Sequence, residues 1–223
     1  MTLPTPAAIL FDLDGTLVDT APDLARATNR LRKHYGRPAL DETTIRREVS
    51  HGGSALVTLA LDMPIDHPEH DACRTQLLEF YGEDVAVDSR LFDGFADLVQ
   101  AFKRRAVPWG IVTNKPRQFA MPLLEALNVQ PDVLLCADDL PVKKPDPTPL
   151  LVAAERLGVS PSACWYLGDH ERDVDAARRA GMVAIAVGYG YLRDEDDPAS
   201  WLADLLFDTP ADATKALRAQ LGL

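Results

Sequence analysis

The sequence predicts an α/β fold: a doubly wound, Rossmann-like parallel sheet that carries an inserted block of helices. Three observations predict it. From Leu91 onward, short apolar runs alternate with helical patterns, the order of successive βα units. One further apolar run, Ala7 to Phe11, stands alone near the start and ends abruptly in polar residues, as a buried strand does. Between these parts lies a stretch with helical periodicity and no strand pattern, which reads as an insertion with a small core of its own. The expected division is a core of residues 1–19 and 90–223 and a helical unit of residues 20–89.

The elements follow from local signals. Gly15 breaks the first strand, and Thr20 to Tyr35 follows with Leu24, Ala27 and Leu31 at helical spacing and Thr20 at the N-cap position. Gly36 and Pro38 end that helix. Asp41 to Glu48, Gly53 to Leu61 and Pro68 to Val85 read as further helices separated by Gly or Pro. Next come a helix from Gly94 to Arg105, a strand from Val107 to Thr113, a helix from Pro116 to Leu127 and a strand from Asp132 to Cys136. Pro147 to Leu157 is helical, Cys164 to Leu167 a strand, Glu171 to Ala180 a helix and Val183 to Val187 a strand. Leu205 to Phe207 is a last short strand before a helix from Ala211 to Leu221.

Composition narrows the function. A chain of 223 residues with 47% hydrophobic and 26% charged residues buries a real core. Its formal charge of −11 argues against nucleic acid or an anionic membrane as partner, because both require clustered Lys and Arg. A phosphorylated ligand would need a local positive exception. Cys73, Cys136 and Cys164 have no metal-type spacing and read as buried thiols of a reducing compartment. No apolar run reaches membrane-spanning length, so the expected location is cytoplasmic, as a monomer or homodimer.

The chemistry is expected at the carboxyl ends of the strands, where open parallel sheets bind ligands. The first strand delivers Asp12 and Asp14 there, two like charges that need a cation to coexist. The second delivers Thr113 and Asn114; a loop supplies Lys143, Lys144, Pro145, Asp146 and Pro147; and Tyr166 to Asp173 supplies Asp169 and Asp173. Phosphoryl transfer needs a positioned nucleophile, charge neutralisation and a proton donor for the leaving oxygen, and these residue types meet all three needs. The residues alone leave open which aspartate attacks.

Phe-Asp-Leu-Asp-Gly-Thr-Leu-Val-Asp at 11–19, Ile-Val-Thr-Asn at 111–114, Lys-Lys-Pro at 143–145 and Gly-Asp at 168–169 resemble the four motifs of the haloacid dehalogenase superfamily, in its order. With the helical insertion, the likeness extends over the chain to the phosphoglycolate phosphatase branch. It implies that Asp12 is the nucleophile and that Asp14 protonates the leaving alkoxide and then activates water. It also implies that Thr113 and the turn at Asn114 bind the phosphoryl oxygens, and that Lys144, which directly precedes the proline, is the point charge beside them. The implied cofactor is Mg²⁺, held by Asp12, Asp169, the backbone carbonyl of Asp14 and Asp173, the last also suited to open a helix. Asp at position 14 is the phosphatase form of the motif.

The insertion would then be a cap that selects the leaving group. Its loop residues His51 and Gly52, with Arg47, are the candidate substrate contacts, although Arg47 could equally cover a helix face. His170 stands where the family usually has Ser or Thr and reads as a rim residue. Trp109 and Trp165 read as core, Trp201 as rim or core, and Asp19, Lys115 and Arg117 as surface or supporting residues. Trp-Gly-Ile-Val-Thr-Asn-Lys-Pro and Tyr-Gly-Tyr are similar to branch members acting on N-acetylmuramic acid 6-phosphate, so the expected substrate is that compound or 2-phosphoglycolate. A sugar phosphomutase of the same fold and a non-catalytic phosphometabolite-binding scaffold are the alternatives.

Overall fold

The computed structural model describes residues 3–223. In chain order its strands are β1 (Ala8–Phe11), β2 (Val18–Asp19), β3 (Arg90–Leu91), β4 (Trp109–Val112), β5 (Val133–Leu135), β6 (Cys164–Gly168), β7 (Val183–Val187) and β8 (Leu205–Phe207). The helices are α1 (Ala21–His34), α2 (Glu42–Arg46), α3 (Gly52–Leu61), α4 (His70–Glu83), α5 (Phe95–Arg105), α6 (Arg117–Ala126), α7 (Thr148–Leu157), α8 (Glu171–Arg179) and α9 (Pro210–Leu221). Among the described residues, six strands form one parallel sheet in the order β5-β4-β1-β6-β7-β8. The doubly wound α/β fold expected from the sequence is thus observed.

Alternation along the central strands builds a core on each face of this sheet. Ile9 and Phe11 of β1 join Phe102, Trp109, Trp165 and Leu167 on one side. Ala8 and Leu10 face the other way, onto Val112, Leu150, Tyr166 and Ala184. Both faces are covered by helices, which is why these strands read as continuous apolar runs. Trp201, assigned by the sequence to either rim or core, is 7% exposed in the second cluster and stacks on His170 with ring centroids 6.4 Å apart.

Helices α1 to α4 pack around a third cluster, which includes Leu31, Ile45, Val57, Cys73 and Leu77. Phe119 of α6 and Tyr191 reach into it from the sheet side. Each Leu so buried contributes about 1.5–3 kcal/mol of transfer free energy. The chain enters and leaves this bundle through β2 and β3, an antiparallel pair with Val18 opposite Leu91 and Asp19 opposite Arg90. The sequence showed no strand here, because two residues are too few to display a period.

Asp23 bridges the two crossings. Its carboxylate accepts hydrogen bonds from the backbone N–H of Asp88 and Ser89, both at 3.0 Å, and from the Ser89 hydroxyl at 2.6 Å. Burial pushes its pKa up, but these donors and Arg26 outweigh that and hold it below the ordinary carboxylate value. Thr20 does occupy the N-cap position of α1, but its side chain makes no capping bond. Its hydroxyl donates instead to Asp14 Oδ1 at 2.5 Å.

Candidate active site

The order of strand addition reverses about β1, which lies between β4 and β6 in the sheet. Phe11 pairs with both Ile111 and Leu167, so the three strands end level. The residues that follow them, Asp12, Thr113 and Asp169, therefore converge on the crevice at the switch point.

Lys144 anchors this cluster. Only 2% exposed, it lies 2.8 Å from Asp12 Oδ1, 2.7 Å from Asp173 Oδ1 and 2.7 Å from the Tyr166 hydroxyl, which in turn donates to the Val112 carbonyl. Burial disfavours its charge, yet Asp12 and Asp173 overcome that and raise its pKa, so the ammonium is held protonated. Lys143 is exposed at the cavity edge, so Lys144 is the one that reaches the aspartates. Asn114 Nδ2 donates to the Lys144 carbonyl at 3.0 Å and steadies the loop.

Asp173 has two tasks. Its Oδ2 accepts from the His170 N–H at 3.2 Å, while His170 Nδ1 accepts from the Arg172 N–H at 3.2 Å, a reciprocal capping of α8. Its other oxygen pairs with Lys144. Helix capping and a place in the polar cluster are thus compatible. His170 is the cap residue of α8; burial, with Arg172 and His51 beside it, lowers its pKa to about 4 and leaves it neutral.

Asp14 Oδ1 accepts from Lys115 Nζ at 3.0 Å and from the Thr20 hydroxyl. Of the two positions expected for Lys115, surface or supporting, the structure shows the supporting one: it is 8% exposed and tied directly to Asp14, because the turn after β4 points it inward over the Tyr81 ring. Asp19 pairs with Arg46 at 2.9 Å and accepts from the Tyr191 hydroxyl, and Arg117 pairs with Asp139, both in supporting positions.

Asp12, Asp169 and Asp173 each offer an oxygen within 4.8 Å of the others. Burial first, then the carboxylates Asp12 and Asp173, raise the Asp169 pKa to about 7. Burial likewise raises Asp12 to about 6, with Lys144 opposing and Asp173 and Asp14 assisting. Asp12 Oδ1 is buried with no aligned hydrogen-bond donor among the described residues; Lys144 beside it acts as an ion pair. An oxygen-only donor set in which three carboxylates share a single ammonium carries surplus negative charge and fits a hard divalent cation. Gly15, at φ +78°, and Gly190 wrap Asp169 so closely that a Cβ on either would overlap its carboxylate.

The inserted helices α1 to α4 lie over this cluster beside a cavity of about 300 Å³. Asp12, Asp14, Thr113, Asn114 and Lys144 line it from the sheet side, and His51, Gly52, Arg74 and Tyr81 from the helical insertion. Ser50 donates to Asp169 Oδ2 at 2.7 Å, and Arg172 donates to the Ser50 carbonyl at 2.8 Å. Arg47 does not line the cavity; it is exposed and pairs with Asp194 at 2.7 Å. Sequence reading missed Ser50, Arg172, Arg74 and Tyr81. Lys115 carried a usable signal, since it follows a strand end that already supplies Thr113, whereas the cap residues carried none.

The chain belongs to the haloacid dehalogenase-like hydrolases, whose family profile matches residues 6–181. It is 42% identical over 212 residues to an N-acetylmuramic acid 6-phosphate phosphatase of Pseudomonas aeruginosa, covering 94% of each chain. It is also 41% identical over 207 residues to a phosphoglycolate phosphatase of Xanthomonas campestris, covering 92% of this chain and 93% of that one. A crystal structure described as a predicted phosphoglycolate phosphatase from Haemophilus somnus superposes with a TM-score of 0.82 at 29% identity, covering 96% and 99% of the two chains. On these similarities the chain is a phosphoric monoester hydrolase. Among the described residues no helix is long and apolar enough to cross a membrane.

Proposed function

We propose that the protein hydrolyses a small phosphomonoester, N-acetylmuramic acid 6-phosphate or 2-phosphoglycolate, through an aspartyl-phosphate intermediate. The observation that carries this reading is Asp12 at the end of β1, half-buried beside Lys144 at 2.8 Å and opening onto a cavity that the inserted helices roof. A carboxylate so placed attacks phosphorus in line with the leaving oxygen. Asp14, on the same turn, protonates the departing alkoxide and then takes the proton of the water that hydrolyses the acyl phosphate. Thr113 and Lys144 meet the negative charge of the phosphoryl oxygens. Asp12, Asp169 and Asp173, with the backbone carbonyl of Asp14, are the residues that would hold Mg²⁺. When bound, the ion would neutralise charge on the phosphoryl group.

Residues 20–89 act in this reading as a separate cap domain over a core of 1–19 and 90–223. Closure excludes water during attack, and reopening admits it for hydrolysis. The test is release of inorganic phosphate with Mg²⁺ and no bisphosphate activator, together with acid-quench capture of phosphoprotein. Absence of phosphoprotein at steady state and under rapid quench would overturn the covalent route, and dependence on a bisphosphate activator would favour a mutase.

A further inference from the structure

One face of α4 borders the cavity. Arg74, Leu78 and Tyr81 recur at i, i+4 and i+7, the spacing of a single helical stripe, and all three line the space that Asp12 opens into. Tyr81 marks the catalytic end: Lys115 Nζ is 4.5 Å from its ring centroid and 3.0 Å from Asp14 Oδ1. Arg74 lies two turns away, about 10 Å along the helix at about 1.5 Å per residue.

Neither polar group of the stripe has a carboxylate partner among the described residues. The Tyr81 hydroxyl is buried with no well-aligned hydrogen bond, and its neighbour is the Lys115 ammonium, which is already paired with Asp14. Other cap arginines are matched, Arg30 with Glu83, Arg37 with Asp62, Arg46 with Asp19 and Arg47 with Asp194. Arg74, an exposed residue at the mouth of the cavity, has no such match among the described residues, although it shares the cavity with three carboxylates. Those three are already paired, Asp12 and Asp173 with Lys144 and Asp14 with Lys115. In a chain of formal charge −11, an uncommitted guanidinium in a ligand cavity points to an anionic group on the ligand.

We propose that this stripe is the leaving-group subsite, in which Arg74 pairs with a carboxylate carried about two helical turns from the phosphoryl group and Tyr81 contacts the polar middle of the substrate. This rests on the phosphatase reading above. Phosphoglycolate carries its carboxylate one carbon from the ester oxygen and holds it close to Asp12, at the Tyr81 end of the stripe rather than the Arg74 end. A sugar acid with phosphate and carboxylate on opposite parts of the ring can reach the Arg74 end. The inference therefore selects phosphorylated sugar acids over two-carbon acids.

The experiment compares kcat/KM for N-acetylmuramic acid 6-phosphate and N-acetylglucosamine 6-phosphate, which differ by the carboxylate-bearing ether, in the parent, Arg74→Gln and Arg74→Lys proteins. The expected result is a preference for the acid that falls by about 10- to 100-fold in Arg74→Gln, chiefly through KM, and is partly restored in Arg74→Lys. Equal losses on both sugars, or an unchanged preference, would overturn the inference while leaving the phosphatase reading intact. A parent protein that hydrolyses no phosphoester with Mg²⁺, p-nitrophenyl phosphate included, would instead remove that reading and the inference with it.

Discussion

Asp12 combines two properties that only an ionised carboxylate supplies, a nucleophilic oxygen and a negative charge matched to Lys144. Asn is nearly isosteric and has neither. Asp12→Asn is therefore expected to fold and to lose more than about a thousandfold in kcat on p-nitrophenyl phosphate, and retention of a tenth of parental turnover without deamidation would refute the assignment. Lys115 is the other informative residue, because its only carboxylate partner among the described residues, Asp14, is placed in the proton-transfer role. Lys115→Met is expected to lower kcat/KM by about 10- to 100-fold, the scale of a lost charge-assisted hydrogen bond. The loss should be the same for every substrate, and a substrate-dependent loss would assign Lys115 to recognition instead.

Between elements, the helical insertion is held to the sheet domain by short-range polar contacts. Arg193 grips Glu48 through two nitrogens, at 2.9 and 2.5 Å, and both side chains are largely covered, whereas Arg47 and Asp194 pair in the open. Exposed pairs contribute about 0–1 kcal/mol and covered bidentate ones more. Arg193→Gln is expected to raise KM several-fold where Arg47→Ala changes it by less than about threefold, and the reverse order in steady-state kinetics would show that Arg47 meets substrate. At the crossing between cap and core, Asp23→Asn is expected to cost about 1–3 kcal/mol. Because the Asp23 pKa is held below its ordinary value, the carboxylate stabilises the fold above the unfolded-state pKa and loses that effect as pH falls through the folded value. The difference in Tm between parent and variant should thus shrink below about pH 4. A difference independent of pH would place the effect in packing.

Across the whole molecule, the acidic cluster would link binding of a divalent cation to stability. Asp12 at about 6 and Asp169 at about 7 lie above the ordinary carboxylate value, so between that value and neutrality the metal-free native state binds more protons than the unfolded chain. The stability contributed by these two groups is full at low pH and is lost as pH rises through 6 and 7. A divalent cation must displace the same protons. Mg²⁺ is therefore expected to raise Tm more at pH 8 than at pH 5.5 and to release protons on binding. Equal Tm shifts at both pH values, measured by calorimetry, would count against Asp12 and Asp169 as joint ligands.

The amino-acid sequence by itself determined the sheet and the four strand-end and loop groups, because each depends on a local pattern: an apolar run, a break and a polar residue just beyond it. Asp12, Thr113 and Asp169 converge for that reason once the strands are parallel and end level, and the loop after β5 brings Lys144 to Asp12. Tertiary structure decided the rest. It turned Lys115 inward onto Asp14, took Arg47 out to Asp194, and brought Ser50 to Asp169 and the Arg74–Tyr81 stripe into the cavity. A helical period specifies that one face is buried but not against what. The cap helices pack on one another and on the core at the same time, so the side chains that meet the substrate are set by how the two bodies close, and residues distant in sequence carry no local mark of it.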